Sequence, residues 1–478
     1  MTSANADWLQ RSRQAVWHPC TQMKRHETLP ITPIASGDGM WLVDFDGKRY
    51  LDGVSSWWVN LFGHNEPRIK AAITRQMDSI EHIMLAGFTH RPVVELSERL
   101  AALTGLGHAF YGSDGASATE IALKMSFHYW KNRGLPWKNR YLHLDGSYHG
   151  ETVGALAVTD VAIFRDTYAP LVRSGLQLPA PLPERQETAD DAVRRALAAL
   201  EHALERHSDE TAALILEPLV QGAAGMRMYP PAYLSGARRL CDLYHIHLIA
   251  DEIAVGFGRT GTLFACEQAG IKPDFLCLSK GITGGYLPLS CVLTSDTVYD
   301  AFYDDSVARA FLHSHSYTGN ALACAAALAV LDIFEQDDVL AANRERAALF
   351  TRKLAPVAAH AKVSGFRQQG MIWAFEVTSR RNDFSPAFFA AMLEQGCLLR
   401  PIGNTVYFMP PYVIEAAHMD QLVEATLATL DRIDDLPVRA GPDGRLACPH
   451  SRTDGGCPAA RRTCSDAGGA RCVRLLAA

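Results

Sequence analysis

No stretch of this sequence is apolar for long enough to cross a bilayer. The longest such run, around "ALACAAALAVLDIF", has the length of a buried helix. A basic stripe is missing as well. The formal net charge is -6, from 46 Lys and Arg against 52 Asp and Glu, which recommends neither nucleic acid nor an anionic membrane as a partner. The opening residues "MTSANADWLQRSRQ" are polar and lack the apolar core of a secretion signal. Closely paired cysteines are also missing before residue 400. Cys241, Cys277, Cys291 and Cys324 fall singly in apolar segments, as small core residues do in a reducing cell. A soluble, cytoplasmic protein is therefore expected. Its 478 residues can hold one large α/β domain and a smaller companion.

Strand-like runs alternate with helical ones, without an internal repeat, which argues for a mostly parallel sheet wrapped by helices. The stretch "SGDGMWLVDFDGKRYLDGVSS" differs. Its aspartate-glycine turns between short alternating runs predict a small antiparallel sheet near the N-terminus. Helical periods dominate from about Leu331, and "CLLRPIGNTVYFMPPY" then reads as two short strands around a glycine turn. The expected division is an N-terminal segment (1–62) belonging to a smaller α+β domain, a large domain (63–330), the remainder of the small domain (331–436) and a tail (437–478). The tail is rich in Gly, Arg, Ala and Cys. Cys448, Cys457, Cys464 and Cys472 lack the close pairing of a structural zinc site, so the tail reads as an extension without fixed structure. The "HIH" at His245–His247 and "HSH" at His313–His315 come without a third ligand motif. They read as structural histidines, and no metal is expected.

Gly256, Gly258 and Gly261 in "LIADEIAVGFGRTG" have the G-x-G-x-x-G spacing of a dinucleotide loop. The context is wrong for one. "EIAV" separates the glycines from the end of the strand, no helix start follows, and no ribose-binding acid ends a second strand. What stands out instead is Asp251 at the C-terminal tip of a strand, where an open α/β sheet places its ligands.

Four strand-like runs share this design: "RYLHLDGSYHG", "AALILEPLVQG", "HIHLIADEI" and "DFLCLSKGITGG". Their tips present Tyr148 and His149, Glu217, Asp251, and Lys280. Asp251 and Lys280 could form a buried ion pair, but the glycines after Lys280 leave room for a flat ligand against the backbone. A lysine that condenses with an aldehyde, facing a carboxylate that keeps a pyridine nitrogen protonated, is the core of pyridoxal phosphate chemistry. "SDGAS" at Ser113–Ser117 leads straight into an amphipathic helix, whose free N–H groups and dipole favour a phosphate dianion. Tyr148 is placed to lie on the ring face. Arg259, in the glycine loop, is expected to pair with Glu217 or Glu252.

Together, "DEIAVGFGRTG", "LSKGITGG", "SYHGE" and "SDGASATEIALKM" resemble the class III aminotransferases of fold type I. The segments "WHPCTQMK", "DGVSSWWVNLFGH", "VQGAAGMRMYP", "HSHSYTGNALACAAA" and "RPIGNTVYFMPPY" are similar to those members that aminate 8-amino-7-oxononanoate in biotin biosynthesis. The resemblance runs from about Trp17 to about Ile433. It implies pyridoxal 5′-phosphate as cofactor, S-adenosyl-L-methionine as amino donor, ping-pong transamination, and a homodimer with its active sites at the subunit interface. Lysine as donor, or an ω-amino acid substrate, is the alternative.

Residue by residue, the resemblance makes Lys280 the Schiff-base lysine and Asp251 the partner of the ring nitrogen. Gly115 and Ala116 would hold the phosphate, with Ser316, beside His315, reaching it from the other subunit. Tyr148 would stack near the ring. Trp57 and Trp58 would wall the substrate tunnel, Ser314 would border the substrate, and Arg400 would take the keto acid's carboxylate. Several positions depart from the pattern. Cys20 stands for a tyrosine, Glu151 for an aspartate, Ala116 for a serine, and Ser314-His315 for glycine-proline.

Overall fold

The structure, a computed structural model, describes residues 3–29, 31–184 and 186–437. At its centre is a sheet of seven strands: β1 (His108–Gly112), β2 (Arg140–Leu144), β3 (Leu176–Leu178), β4 (Thr211–Leu216), β5 (His247–Asp251), β6 (Phe275–Leu278) and β7 (Ser290–Thr294). Their spatial order is β1-β7-β6-β5-β4-β2-β3. β5 runs parallel to β4 and β6, and β2 runs parallel to β3 and β4. β7 alone is reversed, antiparallel to both β1 and β6. The sheet is thus mostly parallel, and the C-terminal ends of β1, β2, β4, β5 and β6 share one edge.

The sequence of these strands explains why they lie inside. β4, β5 and β6 are buried at every position, the continuous apolar run of a strand covered on both faces. The helix Gly115–Asn132 covers one face. Its N-cap Asp114 accepts the Ser117 N–H at 2.9 Å, and Ile121, Ala122 and Met125 turn inward. The apolar run near residue 320 is the helix Ala321–Gln336, capped by Asn320 and packed against Pro67–Met77 and Arg91–Thr104.

The expected N-terminal antiparallel sheet is present as Ile34–Asp38, Trp41–Asp44 and Arg49–Asp52. Cys397–Leu398 joins it in parallel, pairing with Leu51 and Asp52, so segments more than 300 residues apart share one sheet. Thr405–Phe408 pairs with Ile372–Val377 in a different sheet. The two short strands expected around Gly403 therefore exist, but they serve separate sheets. All of the tail except Pro437, including its four cysteines, lies outside the described residues. No helix among the described residues is long and apolar enough to cross a membrane.

The glycine loop that mimics a dinucleotide motif has a packing role. Gly258 and Gly261 adopt φ of +87° and +107°. The tip of the hairpin Val363–Gln369 and Ile372–Val377 presses backbone against backbone onto this loop, and the Met371 N–H donates to the Arg259 carbonyl at 2.8 Å. A Cβ on Gly370 (φ +56°) would lie 2.3 Å from the carbonyl carbon of Thr260. Gly370→Ala combines this overlap with left-handed strain. It should lower unfolding stability by about 3 kcal/mol, measurable as a reduced urea midpoint at unchanged m-value.

Candidate active site

The shared edge of the sheet opens into a cavity of about 560 Å³. Lys280, Asp251, Glu217, Tyr148, His149, Gly115, Ala116, Trp57 and Trp58 all line it. Parallel pairing in register sets Asp251 beside Cys277. The amine and the carboxylate therefore arrive from adjacent strands.

They are not paired with each other. Lys280 Nζ has no hydrogen-bond or ion-pair partner among the described residues and lies over the Trp58 ring, 5.3 Å from its centroid. Burial pulls its pKa below the ordinary lysine value, against the pull of Asp251 and Glu217. Its backbone is in the left-handed region, at φ +46°, a strained conformation typical of functional positions. Asp251 is instead held by His149, whose Nδ1 lies 2.6 Å from Oδ2, while Oδ1 accepts the Ile253 N–H at 3.0 Å. Both side chains are almost wholly buried. His149 stands at a strand tip next to Tyr148, but nothing in its spacing said that it would face Asp251.

Glu217 lies beneath this group. Its two oxygens accept the N–H groups of Tyr148 and Gly222 at 3.0 and 2.9 Å. Burial pushes its carboxyl up to about 7, aided by nearby Asp251 and opposed by His149 and the two N–H groups. Arg259 pairs with neither glutamate, contrary to expectation. The guanidinium is fully buried and donates to the Pro410 carbonyl (2.7 Å), Ser55 Oγ (2.8 Å) and the Asn60 carbonyl (2.9 Å), stacked on Tyr412. Glu252 is satisfied by the N–H groups of Ala265 and Cys266. Both carboxylates already hold backbone donors, so the arginine is left to tie its own loop to two distant segments, Ser55–Asn60 and Pro410.

Opposite Lys280, the N–H groups of Gly115 and Ala116 have no acceptor among the described residues. They face the cavity from the positive end of a helix of 18 residues. Tight packing fixes this cradle, since a Cβ on Gly150 (φ +123°) would lie 2.6 Å from Ala116 Cβ. Tyr148 donates its hydroxyl to Glu151 at 2.8 Å and packs its ring against Phe164. Trp57 is half exposed, and Arg400 stands 5.3 Å from its ring centroid and 3.5 Å from the Cys20 carbonyl. Arg400 does not line the reaction-centre cavity. It borders a second chamber of about 1000 Å³ that shares Glu151 with the first.

Ser314, His315 and Ser316 do not line the cavity of their own chain. The Ser316 carbonyl faces His82, and the surrounding Leu312 and Tyr317 are exposed. In the other pair, His247 is structural in its contacts, while His245 is exposed. His247 lies 2.9 Å from Ser126 Oγ, stacked on Trp130. Among the described residues, no cluster of three or more His, Cys, Asp or Glu could hold a metal.

An amine without a counterion, a carboxylate with a hydrogen-bonded histidine behind it, and an anion cradle surround one flat space. That donor set fits pyridoxal 5′-phosphate. Comparison with known proteins agrees. The family model described as aminotransferase class-III matches residues 22–430. The adenosylmethionine-8-amino-7-oxononanoate aminotransferase of Helicobacter pylori is 47% identical over 426 residues, covering 87% of this chain and 96% of that protein. The protein of the same name from Geobacter sulfurreducens is 40% identical, with 88% and 96% covered. Among solved structures, the Methanocaldococcus jannaschii enzyme of that name superposes with a TM-score of 0.85 at 34% identity, covering 90% of this chain and all of the other. An (S)-enantioselective omega-transaminase from Thermomicrobium roseum also reaches 0.85, at 32% identity, with 91% and 99% covered. The fold therefore does not discriminate between substrates.

Glu217 generates a pH test. Its carboxyl ionises ordinarily at 4.5 and in the fold at about 7. Between those values the folded protein holds a proton that the unfolded chain has lost. The stability this proton contributes is complete below 4.5 and is lost as pH rises through 7. Glu217→Gln removes the titration. From pH 5 to pH 8, the stability of the cofactor-free variant should gain about 2–3 kcal/mol relative to wild type, read from paired denaturant curves.

Proposed function

The chain belongs to the class III aminotransferases, and from that premise we propose that it aminates 8-amino-7-oxononanoate to 7,8-diaminononanoate in biotin biosynthesis, with S-adenosyl-L-methionine as donor. The observation that carries the choice of substrate is the near-complete match, at the highest identity quoted above, to a relative named for that reaction. The same relatives are named for adenosylmethionine, which favours it over lysine.

When bound, pyridoxal 5′-phosphate supplies the aldehyde that takes up the amino group and a protonated ring that accepts the electron pair released at the donor carbon. The N–H groups of Gly115 and Ala116 hold its phosphate. Asp251, steadied by His149, keeps the proton on its ring nitrogen, and Tyr148 bounds the ring. Lys280 Nζ takes the proton from the donor carbon and returns it one position away. Its burial, which lowers its proton affinity below that of an ordinary lysine, favours the neutral amine that acts as a base. Trp57 and Trp58 wall the path of the long keto acid and exclude water. Arg400 receives its carboxylate at the far side of Trp57.

The active unit in this reading is a homodimer. Support comes from the exposed apolar side chains of Met84, Phe88, Tyr303, Val307, Leu312 and Tyr317, and from Ser314–Ser316 lying away from their own cavity. Ser316 would reach the partner's phosphate, with His315 beside it and Ser314 toward the substrate. The pairing of Arg49–Asp52 with Cys397–Leu398 supports a small domain of 1–62 and 331–436 beside a large one of 63–330. The seven cysteines among the described residues are all unpaired, which supports a cytoplasmic setting.

Lys280→Ala should lower turnover by at least about 10⁴-fold in a protein that still folds. Asp251→Asn should slow the chemical step by about 10²-fold or more while cofactor content falls little, as seen in single-turnover absorbance. For the donor, holoenzyme is mixed with adenosylmethionine or with lysine in the absence of keto acid. Conversion of the cofactor band is expected with adenosylmethionine. Conversion by lysine alone would overturn the donor assignment.

A further inference from the structure

The segment carrying the two tryptophans is strained. Ser55, Ser56 and Trp58 have φ of +53°, +62° and +65°, and Ser56, with ψ -88°, lies close to the rare γ-turn region. Such backbone persists only where its surroundings over-determine it. Ser55 Oγ is tied to the Met409 carbonyl and to Arg259, and the backbone at Val54 and Ser56 is held by one carboxylate. Asp52 is fully buried. Its Oδ1 accepts the Val54 N–H at 3.1 Å, and its Oδ2 accepts the Ser56 N–H at 2.7 Å. Behind it, His64 Nε2 lies 3.0 Å from Oδ2, with Nδ1 3.2 Å from Asn60 Nδ2. The output of the turn is the placement of two rings. The Trp58 indole N–H donates to Tyr407 Oη at 3.0 Å, with its ring over Lys280 Nζ. On its other side the ring is confined by Gly222, where a Cβ would come within 3.0 Å of it. Trp57 faces the Arg400 guanidinium.

The geometry points to Asp52 as a positioning residue for the transamination: its carboxylate, backed by His64, holds the strained turn that sets Trp58 against the reacting amine and Trp57 against the arginine. It touches neither the reacting atoms nor the cofactor site. The inference rests on the reading that the long keto acid threads past both tryptophans to Arg400. A merely architectural Asp52 would instead tie down the N-terminal strand and alter stability without selecting between kinetic constants.

The test uses holoenzyme with Asp52→Asn, which keeps the shape but puts an amide donor against one of the two N–H groups. Two more variants, His64→Ala and His64→Gln, remove the backing donor and restore one. KM for 8-amino-7-oxononanoate should rise about tenfold in Asp52→Asn and less in His64→Ala, with kcat within threefold of wild type and His64→Gln recovering toward it. A fall in kcat at unchanged KM, or wild-type constants in both Asp52→Asn and His64→Ala, would overturn the assignment. A crystal structure of Asp52→Asn needs no substrate, so it decides the point even if the keto acid proves not to be turned over. Rings displaced by about 1 Å or more support the role of Asp52, and unmoved rings refute it. Should Asp52→Asn fail to fold, the His64 pair supplies the same kinetic and structural readings.

Discussion

A carboxylate lies buried inside the protein at Asp251, and the architecture of the site follows from how its two oxygens are satisfied. Taking an isolated carboxylate out of water costs several kcal/mol unless hydrogen bonds replace the solvent. Here the Ile253 N–H and His149 do so, one at each oxygen. The lysine one strand away has no counterion among the described residues. Had it paired with Asp251, the two charges would have satisfied each other and neither would have been free to act. Separating the two requires the carboxylate to find its partners in the loop after β2 and on its own loop, and this needs the parallel register that brings those tips together.

The same edge supplies the anion cradle. β1 ends beside the others because β7 runs backwards between it and β6, so that the helix following β1 starts at the cavity. Five strand tips thus build the floor. The walls come from elsewhere, Trp57 and Trp58 rising from the strained turn after the N-terminal sheet, while Arg400, from beyond the strand that joins that sheet, borders the adjoining chamber. The buried guanidinium of Arg259 fastens these remote segments to the floor by bonding to Ser55, Asn60 and Pro410. Bonding to a hydroxyl and two carbonyls in place of a carboxylate lets one planar donor reach two remote chain segments at once.

The strand tips were legible in the sequence because each is a local pattern, a buried apolar run that ends in polar residues and glycine. Asp251, Lys280, Glu217 and Tyr148 were singled out in this way, and so was the capped helix start at Gly115. The misreadings were of pairing. Arg259 was expected to meet a glutamate, and the structure gives it carbonyls and a hydroxyl instead. His149 went without a role because a histidine beside a tyrosine carries no sign of the carboxylate that it will face from another strand.

Sequence by itself determined the element types, the tip residues and the cofactor class, since these depend on local hydrophobic period and residue chemistry. Tertiary structure alone decided which acceptor each buried donor meets, where the tryptophan pair points, and that Cys397–Leu398 would complete a sheet begun near residue 34. Those outcomes depend on strand register and on competition among buried polar groups for a few partners. Both are settled between residues hundreds of positions apart, beyond the range of any local pattern.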